Sequence, residues 1–223
     1  MRLRSVVVSL AIIALSAPVI DGQDLSKYRD FPFGTSLASV SKQLDRQAIE
    51  AEMIHQQPAL IQELTWYPPQ PYGTSRPAEP VEKILFSFHN GDLYRMLVTY
   101  DRSATKGLTD EDMIRAVSAK YGAATRPVAD VNFPTNSWNR ATERVVARWE
   151  DSQFSFNLFR SSASDTFAIV MFDKRLDAQA AASIAESVQL EQQGAPQREA
   201  VRVKKESDVL EGERQKNIKT LRP

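Results

Sequence analysis

Cysteine is absent from this chain of 223 residues. No disulfide can stabilise the fold, and no cysteine is available for lipid attachment at the N-terminus. Once a leader is removed, roughly 200 residues are left for folding, which is enough for one domain or two small ones. We therefore expect stability to come from a hydrophobic core alone.

The chain also lacks an excess of charge of either sign. Its 28 Lys and Arg residues balance 28 Asp and Glu residues, so the formal net charge is +0. Binding to nucleic acid or to anionic lipid needs a basic face, and this balance argues against both as general partners. The content of 42% hydrophobic and 25% charged residues is that of an ordinary globular protein.

Long hydrophobic runs are lacking except at the N-terminus. Arg2 and Arg4 precede a nearly unbroken apolar run, Ser5 to Ala17, which is followed by Pro18 and Gly22. A spanning helix needs roughly 20 apolar residues, and this run is shorter. The pattern predicts a cleavable signal peptide over residues 1–22, with cleavage after Gly22 favoured over cleavage after Ala17. We expect an exported protein, periplasmic or secreted, with no stable membrane span after cleavage.

In the first half, hydroxyl caps and apolar spacing predict one helix and three strands. A helix begins at Thr35 or Ser36, and Leu37, Val40, Leu44 and Ala48 form its apolar stripe. Leu60 to Tyr67 is typical of a strand. The Asn90-Gly91 pair between two alternating apolar runs predicts a type I′ hairpin.

The second half has the same order of predicted elements. Thr109 and Asp112 have the spacing of a capping box at the start of a helix that Gly122 ends. After a loop of about twenty residues, strands are expected over Arg144–Trp149, Phe154–Phe159 and Thr166–Phe172. A last helix runs from Asp177 to about Gln192, with an apolar stripe of Ala181, Ile184, Ala185 and Val188.

Together these elements predict an α+β fold built as a tandem α-β-β-β repeat. The two pseudo-repeats span about residues 31–105 and 106–192 of a domain that covers residues 23–192. Trp66 and Trp149 end equivalent strands in the two halves. Antiparallel strands with one apolar face need helices on that face, so we expect a two-layer sandwich plus a C-terminal helix. Residues 193–223 carry many charges of both signs and predict a disordered or loosely helical tail.

The stretch Phe33-Gly34-Thr35-Ser36-Leu37-Ala38-Ser39-Val40 resembles the helix opening of small bacterial envelope proteins of the BamE and beta-lactamase-inhibitor-protein type. These proteins combine a Gly-Thr or Gly-Ser helix start with an antiparallel sheet, and the inhibitor proteins contain this unit twice. The resemblance covers about a dozen residues directly and the order of elements loosely. It implies a binding role in the cell envelope.

Residues that could carry chemistry are few. His55 and His89 are the two histidines, and no spacing motif connects them. Asp110, Glu111 and Asp112 could bind a metal, but a helix start accounts for all three. Asn90-Gly91-Asp92 lacks the other ligands of a calcium loop. No catalytic residue, metal site or cofactor is predicted.

Aromatic side chains in two long loops are the candidates for a binding surface. Tyr67 and Tyr72 lie in a proline-rich loop, and Phe133 and Trp138 lie in the second loop. Exposed aromatic and proline-rich segments suit partner binding, whereas the alternative for the first loop is a stiff spacer. The leading hypothesis is an exported, non-enzymatic module that binds a protein or a small ligand. The alternatives are an enzyme with an unrecognised site and a structural or assembly protein of the envelope.

Overall fold

The computed structural model describes residues 24–45, 50–69, 79–132, 142–161 and 164–221. The predicted signal peptide lies outside these residues. Among them are three helices: α1 (Leu37–Gln43), α2 (Asp110–Tyr121) and α3 (Lys174–Thr220). The chain is therefore of the α+β class, as its sequence predicts.

One antiparallel sheet of eight strands forms the centre of the molecule. Its strands are β3 (Glu52–His55), β4 (Ile61–Trp66), β5 (Val81–His89), β6 (Asp92–Tyr100), β7 (Asp130–Asn132), β8 (Thr142–Glu150), β9 (Phe154–Arg160) and β10 (Phe167–Asp173). Their spatial order is β3-β4-β5-β6-β10-β9-β8-β7. The central seam joins β6 to β10, with Thr99 opposite Ala168 and Arg95 opposite Phe172. A separate hairpin, β1 (Lys27–Tyr28) and β2 (Phe31–Pro32), precedes α1.

The hairpin predicted at Asn90-Gly91 is confirmed. Asn90 has φ 51° and Gly91 has φ 90°, and these two positive values are those of a type I′ turn. The start of α1 is hydrogen-bonded to this turn. The Gly34 N–H donates to the carbonyl oxygen of Leu93 at 2.8 Å, and the Leu37 N–H donates to that of Gly91 at 2.9 Å.

Side-chain caps confirm the predicted starts of the first two helices, whereas α3 begins at Lys174, before the predicted Asp177. Ser36 caps α1 by accepting a hydrogen bond from the Ser39 N–H. Thr109 and Asp112 form a reciprocal capping box at the start of α2, so two amides of the first turn are satisfied. The helix α1 ends at Gln43, and Ala48 of its predicted stripe lies outside the described residues.

Two helices cover one face of the sheet. Val40 of α1 and Met113, Val117 and Tyr121 of α2 join one buried cluster with strand residues of that face. The strand residues in this cluster include Leu64, Ile84, Phe86, Met96, Trp149, Phe156, Ile169 and Met171. This cluster is the main hydrophobic core.

The third helix packs on the opposite face. Leu176, Ala180 and Ile184 of α3 form a buried cluster with Ile61 and Tyr94. Because neighbouring residues of a strand point to opposite faces, Ile61 lies on the other side of β4 from Leu64. The predicted two-layer sandwich therefore accounts only for the sheet with α1 and α2. Because α3 covers the second face, the sheet has helices on both faces. Leu97, Phe159, Ala168 and Val170 explain why, since they make the second face apolar as well.

The buried stripe of α3 differs from the predicted one. Ala181 and Ala185 are exposed, whereas Ser187 is buried with Ala180 and Ile184. The polar Ser187 fits under the sheet because its hydroxyl donates to the backbone carbonyls of Gln57 and Ser183. Small side chains on several sides of this helix left its buried face ambiguous in the sequence.

The helix α3 continues far beyond the predicted end near Gln192. It contains Pro196 and ends at Thr220, so the predicted disordered or loosely helical tail is one continuous helix in this structure. We call residues 191–221 the arm, because nearly all of them are exposed. Ion pairs such as Arg202 with Glu199 and Arg214 with Glu211 support a helix that has no buried face.

The sequence did not predict the outer strands. Each half of the sheet has four strands rather than three, because β3 and β7 are added at the two edges. The predicted apolar helix stripe ends at Ala48, shortly before β3 begins at Glu52, and the sequence predicts a long loop where β7 lies. Edge strands are often short and polar, and such strands lack the alternation that identifies a half-buried strand. None of the described helices is both long enough and apolar enough to cross a membrane.

Candidate functional site

A cleft opens between α2 and the centre of the sheet, on the face that carries the main core. Its volume is about 360 Å³, and we call it the tyrosine cleft. It is lined by Tyr28, Arg29, Pro80, Val81, Tyr100, Ala104, Thr105, Leu108, Met113, Ala116, Val117, Lys120, Tyr121, Phe156, Ile169 and Met171. Among the described residues, this lining is mostly apolar and contains two cationic side chains and no carboxylate.

Three separate elements bring the tyrosines together. Tyr28 ends β1, Tyr100 ends β6 and Tyr121 ends α2. The turn after β1 holds Arg29 at φ 56°, which is a left-handed conformation, and directs the chain back into β2. Each tyrosine thus lies where the chain leaves a regular element, at the border between core and surface.

The tyrosine hydroxyls sit in a poorly solvated environment. Burial raises the pKa of Tyr28 and of Tyr100 above the ordinary value of 10. Burial also raises the pKa of Tyr121 to about 12. All three phenols are therefore protonated near neutral pH and can donate a hydrogen bond.

Tyr121 has a buried hydroxyl without a hydrogen-bond partner among the described residues. Its side chain packs edge-on against Phe156, with ring centroids 4.9 Å apart, so the ring is fixed by the core. A buried donor that lacks an acceptor costs about 1–3 kcal/mol. An acceptor atom that reached this hydroxyl would recover that cost.

The rim of the cleft holds two cations in different situations. Arg29 hydrogen-bonds to Glu79, and both side chains are only partly exposed. The Lys120 Nζ atom lies 5.3 Å from the ring centroid of Tyr121. The ion pairs found among the described residues do not include Lys120. Lys120 is therefore the rim cation best placed to meet an external anion.

A larger and more polar depression of about 590 Å³ lies beside the cleft, in the loop between β6 and α2. Three of its charged groups, Asp101, Arg160 and Asp165, are already engaged. The Asp101 carboxylate accepts from the Ser103 and Ala104 amides, and Arg160 pairs with Asp110 and Asp165. These contacts stabilise the loop, so we do not regard this depression as the site.

A polar cluster lies buried beneath α3. Arg95 of the central strand β6 donates from Nε to the Asp177 carboxylate at 2.7 Å, and both side chains are largely buried. The Ser87 hydroxyl donates to Glu63 nearby. Tyr94 packs here too, and burial raises its pKa. This cluster attaches α3 to the sheet, and it lies on the opposite face from the tyrosine cleft.

The two histidines also contact α3. His55 and His89 occupy strands on either side of β4, where both are in register with Ile61. The His89 Nε2 atom lies 3.3 Å from the Ser183 hydroxyl, and the His55 Nδ1 atom lies 3.5 Å from the Glu191 carboxylate. Within the described ranges, no three His, Asp or Glu side chains are grouped as metal ligands would be.

The acidic run at the start of α2 is structural, as the helix-start interpretation predicts. Asp112 belongs to the capping box, Glu111 pairs with Arg126 and Asp110 pairs with Arg160. Each carboxylate therefore has a role in the helix start or in a surface ion pair.

Of the four aromatic residues proposed as a binding surface, the structure describes one. Tyr67 follows β4 and is 58% exposed. Tyr72, Phe133 and Trp138 lie outside the described residues. Sequence reasoning missed the tyrosine cleft because Tyr28, Tyr100 and Tyr121 share no motif and are brought together only by the tertiary fold.

Comparisons with known proteins identify no relative of this chain. The chain matches no protein-family model, no curated protein and no solved structure.

Proposed function

We propose that this chain is an exported, non-enzymatic binding module that holds a small, mostly apolar ligand with a hydrogen-bond acceptor in the tyrosine cleft. The observation that carries the proposal is the buried, unpartnered hydroxyl of Tyr121 in an otherwise apolar cleft. Small-molecule sites are concave and mostly apolar, with a few polar groups that orient the ligand, and they measure about 300–1,000 Å³. The tyrosine cleft has this character and this size.

A neutral hydrophobic dye tests the proposal. N-phenylnaphthylamine should bind the purified chain with a rise in fluorescence. Ala116→Trp, which places an indole at the cleft wall, should abolish most of that rise. Ala119→Trp is the matched control, because Ala119 is an exposed residue of the same helix that does not line the cleft. Equal dye binding by the two variants would contradict a ligand site in the cleft.

Export is the second part of the proposal, and the N-terminal sequence supports it. The basic head and the short apolar run are those of a cleavable signal peptide. Intact-mass measurement of protein from an exporting host should give a mature chain that begins close to Gln23. Retention of Met1 together with membrane association would contradict export by cleavage.

We also propose that the two halves are a tandem repeat. In each half one helix precedes four strands, and the sheet order of one half mirrors that of the other across the β6–β10 seam. Trp66 and Trp149 lie at the ends of corresponding strands, β4 and β8. The resemblance of the segment Phe33–Val40 to envelope proteins of the BamE and beta-lactamase-inhibitor-protein type supports a binding role in the envelope.

The arm favours a second candidate function, that of an assembly protein. It is an exposed helical segment of about 45 Å, at 1.5 Å per residue. Val203 and Leu210 are 52% and 61% exposed on it. A chain truncated after Gln193 should then fail to capture an envelope protein that the full chain captures. Identical capture by both chains would exclude the arm as the docking element.

A further inference from the structure

We propose that the ligand of the tyrosine cleft is an amphipathic monocarboxylate, such as a medium-chain fatty acid. Its carboxylate lies between Lys120 and the hydroxyl of Tyr121, and its apolar body lies against Ile169 and Met171. This inference rests on the proposed binding function and names the class of ligand.

The charge of the lining selects for an anion. Within the part of the chain that the structure describes, the lining includes Arg29 and Lys120 but no Asp or Glu. Arg29 already has Glu79 as its partner, so Lys120 supplies the available positive charge. A carboxylate placed at Lys120 gains a charge-assisted hydrogen bond, whereas an ammonium group there is repelled.

The hydrogen-bonding groups select for an acceptor. Tyr121 is only 6% exposed, and its hydroxyl has no partner among the described residues. A protonated phenol can donate to a carboxylate oxygen, which has several lone pairs to accept it. An alcohol can also accept, but a carboxylate is the stronger acceptor, and only the carboxylate also attracts Lys120.

The remaining surface selects for an apolar body. Phe156, Ile169 and Met171 of the main core line the cleft. Val81, Met113 and Val117 extend this apolar surface. A sugar or a nucleotide would leave many polar groups unpaired against these side chains, and each such group lowers affinity.

Three probes with one chain and different head groups test the inference. Decanoate, decanol and decylamine compete with N-phenylnaphthylamine for the purified chain. Decanoate should displace the dye at a concentration about tenfold lower than decanol, because a hydrogen bond to a charged group strengthens binding. Decylamine should be the weakest competitor.

Two variants assign the head group to its residues. Lys120→Gln should raise the decanoate concentration needed by about fivefold, and it should leave decanol unchanged. Tyr121→Phe keeps the ring and should weaken decanoate by about threefold. Lys106→Gln is the matched control, since Lys106 is a cation of the neighbouring loop that does not line the cleft.

The outcomes separate this inference from the binding function on which it rests. If decanoate and decanol compete equally and Lys120→Gln changes neither, the carboxylate assignment is wrong, although dye binding that Ala116→Trp blocks would still support a ligand site. If the dye binds Ala116→Trp and Ala119→Trp equally, both the site and its ligand class are wrong. A head-group preference that is lost in Lys120→Gln and kept in Lys106→Gln supports the inference.

Discussion

The indole nitrogen of Trp149 donates a hydrogen bond to the carbonyl oxygen of Gly122, 2.9 Å away. This contact ties the strand β8 to the end of α2. Trp149 is only 1% exposed, so the bond lies within the main core. Trp66, at the end of β4, is only partly buried.

Trp149→Ala should lower the free energy of unfolding by about 3–5 kcal/mol, because it removes a large buried ring and leaves a cavity. Trp66→Ala should cost less, since part of that side chain already contacts solvent. Urea titration of both variants measures the difference. Equal losses would contradict the unequal burial of the two tryptophans, and a loss under about 1 kcal/mol for Trp149→Ala would place it outside the core.

Asp177→Ala should destabilise the chain by about 3 kcal/mol, because it removes the carboxylate that pairs with the largely buried Arg95. The double variant Arg95→Met, Asp177→Leu should recover most of that loss, since it removes the buried charge along with its partner. Thermal and urea unfolding of both variants measure this. A double variant as unstable as the single one would show that this pair contributes through packing rather than charge.

Truncation after Gln193 should change the melting temperature little, because residues beyond it are almost all exposed. Truncation after Asp173 should unfold the chain or make it aggregate, since it removes Leu176, Ala180 and Ile184 from their contacts with Ile61 and Tyr94. Differential scanning calorimetry of the two truncations measures the contrast. Unfolding of the longer fragment would show that the arm packs on the domain.

The carboxyl group of Asp112 should titrate below its ordinary value of 3.8, because hydrogen bonds from the Thr109 backbone and side chain lower its pKa. A carboxyl group whose pKa is lower in the folded state stabilises that state at pH values above the pKa of the unfolded state. This stabilisation is lost as the pH falls through the folded-state pKa. NMR titration of the Asp112 side chain should show the pKa return toward 3.8 in Thr109→Ala. Thr125→Ala, at a threonine that caps no helix, should leave the pKa unchanged.

The elements that could be predicted from the sequence are those whose structure is determined by residues close together in the chain. The Asn90-Gly91 turn and the Thr109 cap depend on residues within four positions of one another, and both are found as expected. The face of α3 that packs on the sheet depends on Arg95 and Ile61, which are distant in sequence.

The candidate site could not be predicted because it is wholly tertiary. Tyr28, Tyr100 and Tyr121 belong to three different elements and approach one another only when the hairpin, the sheet and α2 are assembled. The extent of α3 was missed for another reason. Its arm lacks a buried stripe, and hydrophobic periodicity is the main signal by which a helix is recognised.

The seam between β6 and β10 has a consequence for the order of folding. Each half of the sheet is a chain-local meander, but the seam joins residues such as Val98 and Ile169 that lie in opposite halves of the chain. Contacts so far apart in sequence raise the contact order and slow folding. Until β10 is in place, β6 presents an unpaired apolar edge that invites association with another chain. Pairing of β10, the last strand of the chain, therefore covers this edge and shortens the time in which the chain can aggregate.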